Sequence, residues 1–125
     1  MNHRIDNKEL RKLVFAKYDG RCAYCGIELK ERFSIDHIHP LYRKNPNWDR
    51  TGLNHIDNYN PCCFSCNSSK STWTIEEWRK EIELKFTRLH RDSSNFRLLV
   101  RMGIIPSEPS KFKFYFERNT IDGTR

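Results

Sequence analysis

Two short cysteine pairs, Cys22-Ala23-Tyr24-Cys25 and Cys63-Phe64-Ser65-Cys66, decide the fold of this 125-residue chain. Each C-x-x-C turn bends two sulfurs toward one point, and two such turns supply the four soft ligands that tetrahedral zinc prefers. Because 37 residues separate the pairs, a metal ion would clamp the two ends of an inserted segment together. We therefore predict a structural zinc site formed by Cys22, Cys25, Cys63 and Cys66, and we expect chelation to unfold the protein.

A fifth cysteine, Cys62, stands directly before the second pair. It could replace Cys63 as a ligand only by breaking the matched spacing of the two pairs, so we predict a buried small hydrophobic side chain. The cysteines alone leave another interpretation open, a zinc ribbon that merely binds DNA.

The composition bounds the class of protein. Hydrophobic residues make up 37% and charged residues 31% of the chain, which predicts a single domain over residues 1–125 with a modest core. No apolar segment is long enough for a membrane span or a signal peptide, so we expect a cytoplasmic protein, whose reducing compartment favours thiolate ligands over disulfides. The formal charge of +7 and the pI near 9.3 favour a polyanionic partner.

Periodicity predicts the secondary structure. Helical spacing of apolar residues and a capping box that begins at Thr74 indicate three helices, at residues 7–18, 75–91 and 95–102. Strand character is found at residues 32–38, near 55–59 and around the alternating Phe112, Phe114 and Phe116. Residues 41–61 are rich in Asn, Pro, Asp and Gly and predict a long, functional loop.

The residues suited to chemistry lie in or just after the insert: Asp36-His37-Ile38-His39-Pro40, Asn58, and Asn67, which follows the last cysteine of the pair. An imidazole titrates near neutrality and can accept a proton from water. A carboxylate and an amide oxygen are hard ligands for Mg²⁺ or Mn²⁺ and leave coordination sites for water and a phosphate. Adjacent strand residues point to opposite faces, so Asp36 and His37 can flank one phosphate only where the strand curls or ends.

This order of motifs resembles the HNH (ββα-metal) endonuclease pattern over residues 21–71, with four cysteines flanking the motif as in many members of that family. The resemblance implies that His37 is the general base, that Asp36 and Asn67 hold the catalytic Mg²⁺ or Mn²⁺, and that Asn58 fixes the loop which presents the strand. It also implies products with 5′-phosphate and 3′-hydroxyl ends. His39 and His55 are competing bases, although solvated or DNA-contacting roles suit them better.

Basic side chains suggest where DNA would lie. Residues 85–101 carry five basic residues against Asp92, a local charge of +4 (five minus one), and such a stripe can track a phosphate backbone. The predicted DNA-contacting residues are Arg43, Lys44, Arg50, Lys70, Lys85, Arg88, Arg91, Arg97 and Arg101. A solvated helix face is the competing interpretation. We place Trp73 in the core, while Trp48 suits either the core or base stacking.

These observations predict an α+β fold: a small ββα-metal, treble-clef-like nuclease core over about residues 7–73, stapled by zinc, with a helical extension and a C-terminal strand over about 74–118. The expected function is Mg²⁺- or Mn²⁺-dependent cleavage of DNA, as nicking or double-strand scission, by a monomer or a homodimer. Two alternatives stay open: a non-catalytic, zinc-dependent DNA-binding module and an RNA-directed nuclease.

Overall fold

The computed structural model describes residues 7–118, and these divide into two compact units. The first unit comprises residues 7–74 and 113–118, and the second comprises Ile75–Phe112. In chain order the elements are α1 (Lys8–Ala16), β1 (Ser34–His37), a 3₁₀ turn (Ile56–Asn58), β2 (Tyr59–Cys62), α2 (Phe64–Lys70), α3 (Ile75–Asp92), α4 (Ser94–Arg101) and α5 (Tyr115–Arg118). The fold is a small α+β architecture, as predicted.

Helix α1 begins where its capping residue satisfies the free amides of the first turn. The side-chain oxygen of Asn7 accepts hydrogen bonds from the amides of Glu9 and Leu10, at 2.9 and 3.1 Å. Beyond the helix, Lys17 Nζ donates to the carbonyl oxygens of Ile56 (3.1 Å) and Tyr59 (2.5 Å). These two bonds join the end of α1 to the start of β2.

The first unit contains a two-stranded antiparallel sheet, β1 against β2. Its register pairs Ser34 with Cys62 and Asp36 with Asn60. The first strand lies inside the predicted range of 32–38, but the second forms at Tyr59–Cys62 and not near 55–59, where the 3₁₀ turn lies instead. The sequence did not predict this strand because Pro61, which has no amide hydrogen to donate, argues against one. Proline is tolerated here because each strand of a two-stranded sheet has an edge on which no ladder amide is needed.

A small core supports this sheet. Its buried apolar side chains come from α1, the first cysteine turn, the segments that precede the two strands, β2 and the C-terminal segment, and include Val14, Tyr24, Leu29, Phe33, Leu53, Tyr59 and Phe114. Trp73 is 39% exposed, so the prediction that it lies in the core is wrong. The side chain lies in the turn after α2, where its amide bonds to the carbonyl of Lys70 at 2.9 Å.

The second unit is a pair of helices, α3 and α4. The Ser93 hydroxyl caps α4 by accepting a hydrogen bond from the Phe96 amide at 3.1 Å, and the Phe86 and Phe96 rings meet edge to face at 5.1 Å. Gly103 adopts a φ of 77° just after α4 ends. The predicted ranges for both helices are confirmed within one residue.

The predicted C-terminal strand around Phe112, Phe114 and Phe116 is wrong, because α5 forms at Tyr115–Arg118. The Phe114 amide donates to Glu117 Oε1 at 2.9 Å, which is the arrangement that starts a helix and not a strand. The Phe114 and Phe116 rings both pack against Tyr24, with centroids at 5.8 and 6.1 Å. The alternating aromatic residues therefore contact Tyr24 from a turn and not from a pleated strand.

Among residues 7–118, none of the helices combines the length and apolar character that crossing a bilayer requires.

Candidate metal and catalytic site

The four predicted zinc ligands come together. The sulfurs of Cys22, Cys25, Cys63 and Cys66 all lie within 4.8 Å of one another. The Cys25 and Cys63 sulfurs are 3.8 Å apart, and a tetrahedral zinc with bonds of about 2.3 Å places its sulfurs about 3.8 Å apart. This cluster can hold a metal ion, and its spacing and soft donors fit zinc.

Local backbone structure brings each pair into position. Cys22 donates its amide to the Ile27 carbonyl at 2.8 Å and accepts from the Gly26 amide at 3.0 Å, which closes a tight turn. Gly26 has a φ of 80°, and a Cβ there would lie 2.7 Å from the Tyr115 ring. In the second pair Cys63 is the N-cap of α2, and its sulfur accepts from the Cys66 amide at 3.4 Å. Both turns therefore direct their two sulfurs toward the same point.

The thiols of the cluster also perturb each other. A hydrogen bond from the Cys66 thiol lowers the pKa of Cys22 to about 4, and the same bond raises the pKa of Cys66. A thiolate thus forms readily at Cys22, and thiolate is the form that binds metal. Cys62 is fully buried outside the cluster, where burial and the nearby Asp36 charge raise its pKa. The prediction that Cys62 is a buried side chain is confirmed.

Asp36 lies inside the first unit and is only 6% exposed. Its Oδ2 accepts a hydrogen bond from the Tyr24 hydroxyl at 2.5 Å and lies 3.1 Å from Lys70 Nζ. Burial raises the pKa of Asp36, while the Lys70 ammonium and the Tyr24 hydroxyl oppose that rise. Both contacts fall on Oδ2, and Oδ1 accepts no hydrogen bond from any residue between 7 and 118.

Lys70 is not a surface residue, which corrects its predicted role in contacting DNA. The side chain is fully buried, and Nζ donates to the His37 carbonyl at 3.0 Å in addition to pairing with Asp36. A buried lysine needs such partners because burial removes the hydration of its ammonium, at a cost on the order of several kcal/mol, and only paired groups can offset that cost. No local pattern predicts this contact, because the two partners are 33 and 34 residues away along the chain.

His37 is the last residue of β1 and is partly exposed, on the opposite face from Asp36. Its Nε2 lies 2.9 Å from Asn54 Oδ1, and its ring meets the Tyr59 ring edge to face at 5.3 Å. An amide oxygen can only accept, so Nε2 carries the hydrogen and Nδ1 keeps the lone pair. Asn54 was not among the predicted site residues, because nothing distinguishes it from the other asparagines of the loop.

Asn58 holds the backbone on both sides of the loop. Its Oδ1 accepts from the His39 amide at 2.8 Å, and its Nδ2 donates to the carbonyls of His39 (3.1 Å) and Leu53 (2.9 Å). These bonds fix the chain directly after β1, where the Ile38 amide also donates to the Asn58 carbonyl at 2.8 Å.

Asn67 lies in the middle of α2 and is partly exposed. It is three residues before Lys70, and residues at that spacing share a helix face with Cβ atoms about 5–6 Å apart. Because Lys70 contacts Asp36 and the backbone of His37, the face of α2 that bears Asn67 is turned toward β1.

The long loop is organised by its own side chains. Trp48 stacks on His39 at a centroid distance of 4.2 Å and donates its indole N–H to the Pro40 carbonyl at 2.7 Å. Arg50 donates to three backbone carbonyls of the loop, and Arg43 donates to the Thr72 carbonyl and lies over Trp48. Both arginines therefore support the loop. His55 Nδ1 accepts from the Asp57 amide and caps the 3₁₀ turn.

The basic residues of the second unit fall into two groups. Arg88 pairs with Glu81 and Arg91 with Asp92, while Arg97 donates to two carbonyls near the end of α3. Lys85 and Arg101 are exposed and have no side-chain partner among the residues that the structure describes.

The fold and the site define a small α+β domain with a four-cysteine cluster that can hold a metal ion and with an Asp-His pair at the end of β1. Residues 22–72 match the family described as HNH endonuclease. It is similar to YoqL of Bacillus subtilis (strain 168), an SPbeta prophage-derived protein that its name assigns to the HNH endonucleases, with 33% identity over 73 residues. That alignment covers 56% of this chain and 31% of the relative, so the chain spans about a third of that protein.

Among solved structures the chain is similar to the Type II-C Cas9 enzyme from Actinomyces naeslundii. The identity is 21% and the TM-score 0.47, over 74% of this chain and 10% of that one.

Proposed function

We propose that this protein is a metal-dependent DNA endonuclease in which His37 is the general base and Asp36 and Asn67 hold a Mg²⁺ or Mn²⁺ ion. The observation that carries the proposal is the pair of contacts made by Lys70, which join α2 to both Asp36 and His37. The helix that bears Asn67 is thereby held against the strand that bears the acid and the imidazole. A base, a carboxylate and an amide are the groups that hydrolysis of a phosphodiester needs.

The four-cysteine cluster would hold a structural zinc. Cys63 and Cys66 start α2, and the first pair lies beside Tyr24, whose hydroxyl contacts Asp36. A zinc ion there fixes both supports of the Asp36 carboxylate. Its four sulfur ligands leave no open position for a substrate, so its role is to stabilise the fold.

The catalytic cation, when bound, would polarise the phosphate and stabilise the leaving oxygen. Oδ1 of Asp36, which accepts no hydrogen bond from residues 7–118, and the amide oxygen of Asn67 are hard donors suited to it. Asn54 holds His37 in the tautomer in which Nδ1 accepts the proton of the attacking water. Asn58 keeps the backbone after His37 in place, so that the imidazole stays at the end of the strand.

DNA contact would come from exposed basic side chains that are not committed to other bonds, chiefly Lys44, Lys85 and Arg101. Arg43, Arg50, Arg88, Arg91 and Arg97 would contribute positive potential while keeping their present partners. Such contacts position a duplex and make binding sensitive to salt, without reading its sequence.

The experiment is plasmid cleavage by the full chain, loaded with zinc, in Mg²⁺ or in Mn²⁺. We expect conversion of supercoiled DNA to nicked or linear forms, and loss of that conversion in His37→Ala with unchanged zinc content and DNA binding. His90→Ala is the matched control, because this exposed histidine lies on α3. Undiminished cleavage by His37→Ala would show that His37 is not the general base. DNA binding without cleavage in either metal would favour the non-catalytic DNA-binding module. Faster cleavage of RNA than of DNA would favour an RNA-directed nuclease.

A further inference from the structure

Four buried polar side chains form a cluster beside β1. Asp36, Lys70, Tyr24 and Asn60 are all nearly or fully inaccessible. Asn60 lies opposite Asp36 in the sheet register, and its Nδ2 reaches the Tyr24 hydroxyl at 3.5 Å, while its Oδ1 has no partner within residues 7–118. Replacing a buried ion pair by apolar residues is often neutral or stabilising. The cluster therefore calls for a role besides stability.

The geometry indicates that role. Lys70 and Tyr24 approach the same oxygen of Asp36, Oδ2, from different elements, α2 and the first cysteine turn. Two directed contacts on one oxygen fix the rotation of the carboxylate, and they leave Oδ1 as the donor for a cation. The second Lys70 contact, with the His37 carbonyl, links the same ammonium to the next residue of the strand.

We propose that Lys70 and Tyr24 are positioning residues that aim Oδ1 of Asp36 at the catalytic cation, with Lys70 also fixing the backbone of His37. This inference rests on the proposed function. Groups that orient a metal ligand through hydrogen bonds affect metal affinity or activity by about 10- to 100-fold when they are replaced. Neither residue touches the substrate or the ion itself.

The test compares Tyr24→Phe and Lys70→Met with two matched controls, Tyr18→Phe and Lys80→Met, all in the full zinc-loaded chain. Mn²⁺ binding is measured by electron paramagnetic resonance, and zinc content, melting temperature and cleavage are measured in parallel. We expect Tyr24→Phe to retain zinc and to bind Mn²⁺ about 10- to 100-fold more weakly. Cleavage by this variant should recover as Mn²⁺ is raised, while the controls bind Mn²⁺ as the wild type does.

Tyr24→Phe removes only a hydroxyl, so it decides the matter even where Lys70→Met fails to fold. Unchanged Mn²⁺ affinity in Tyr24→Phe, with zinc retained, would overturn the proposal. A further check uses Asp36→Asn: in that background Tyr24→Phe should leave Mn²⁺ binding unchanged, and a second loss of similar size would contradict positioning through Asp36. A wild-type protein that neither binds Mn²⁺ nor cleaves DNA would instead refute the proposed function itself.

Discussion

The neighbouring residues Cys62 and Cys63 allow one specific prediction about the four-cysteine cluster. Cys63 belongs to the group of four sulfurs, whereas Cys62 is buried outside it. Cys62→Ala removes one buried sulfur and should lower the free energy of unfolding by about 1 kcal/mol, which lowers the melting temperature by a few degrees. Cys63→Ala leaves three ligands for the ion. A structural zinc contributes about 10 kcal/mol or more, which is comparable with the whole stability of a domain at roughly 5–15 kcal/mol.

The assay is zinc content by mass spectrometry together with thermal unfolding followed by circular dichroism, in a reducing buffer and with each variant purified identically. Cys62→Ala should keep its zinc and a cooperative transition. Cys63→Ala should lose zinc and the transition of the first unit, as should the wild type after treatment with a strong chelator. The reverse pattern, in which Cys62→Ala loses zinc and Cys63→Ala keeps it, would refute the assignment of the ligands.

Two further predictions concern the loop and the basic residues. Asn58→Ala removes three hydrogen bonds to backbone groups, each worth about 1 kcal/mol. We expect the free energy of unfolding, measured by denaturant titration, to fall by about 2–4 kcal/mol. A fall of less than about 0.5 kcal/mol would contradict the structural role of Asn58. Lys85→Gln and Arg101→Gln should each reduce the slope of log affinity for DNA against log salt by about 1. Lys80→Gln is the control and should leave that slope unchanged. Equal slopes in all three variants would show that the phosphate contacts lie elsewhere.

Local patterns made part of the fold predictable. The capping box and apolar spacing of α3, and the glycine after α4, placed both helices within one residue, because such signals act over one or two turns. The matched cysteine spacing predicted the four-cysteine cluster, because each C-x-x-C turn brings its two sulfurs together. These features depend on neighbours in the sequence.

The features that were missed depend on distant partners. Lys70 looked like one more surface cation, yet its burial depends on Asp36, which is 34 residues earlier. Pro61 disguised β2, and the aromatic alternation near Phe114 suggested a strand where the residues instead contact Tyr24 from a turn and a short helix. The contact between His37 and Asn54 was equally hidden, because it depends on how the loop returns to the end of β1.

The central claim is that Asp36 and Asn67 hold one cation beside the His37 imidazole. The most direct measurement is the titration of the zinc-loaded, isotope-labelled protein with Mn²⁺, in which the paramagnetic ion broadens the amide signals of nearby residues. We predict that the signals of these three residues broaden first and together, at the lowest Mn²⁺ concentrations. Broadening centred elsewhere, or spread evenly over the acidic side chains of the surface, would contradict the account.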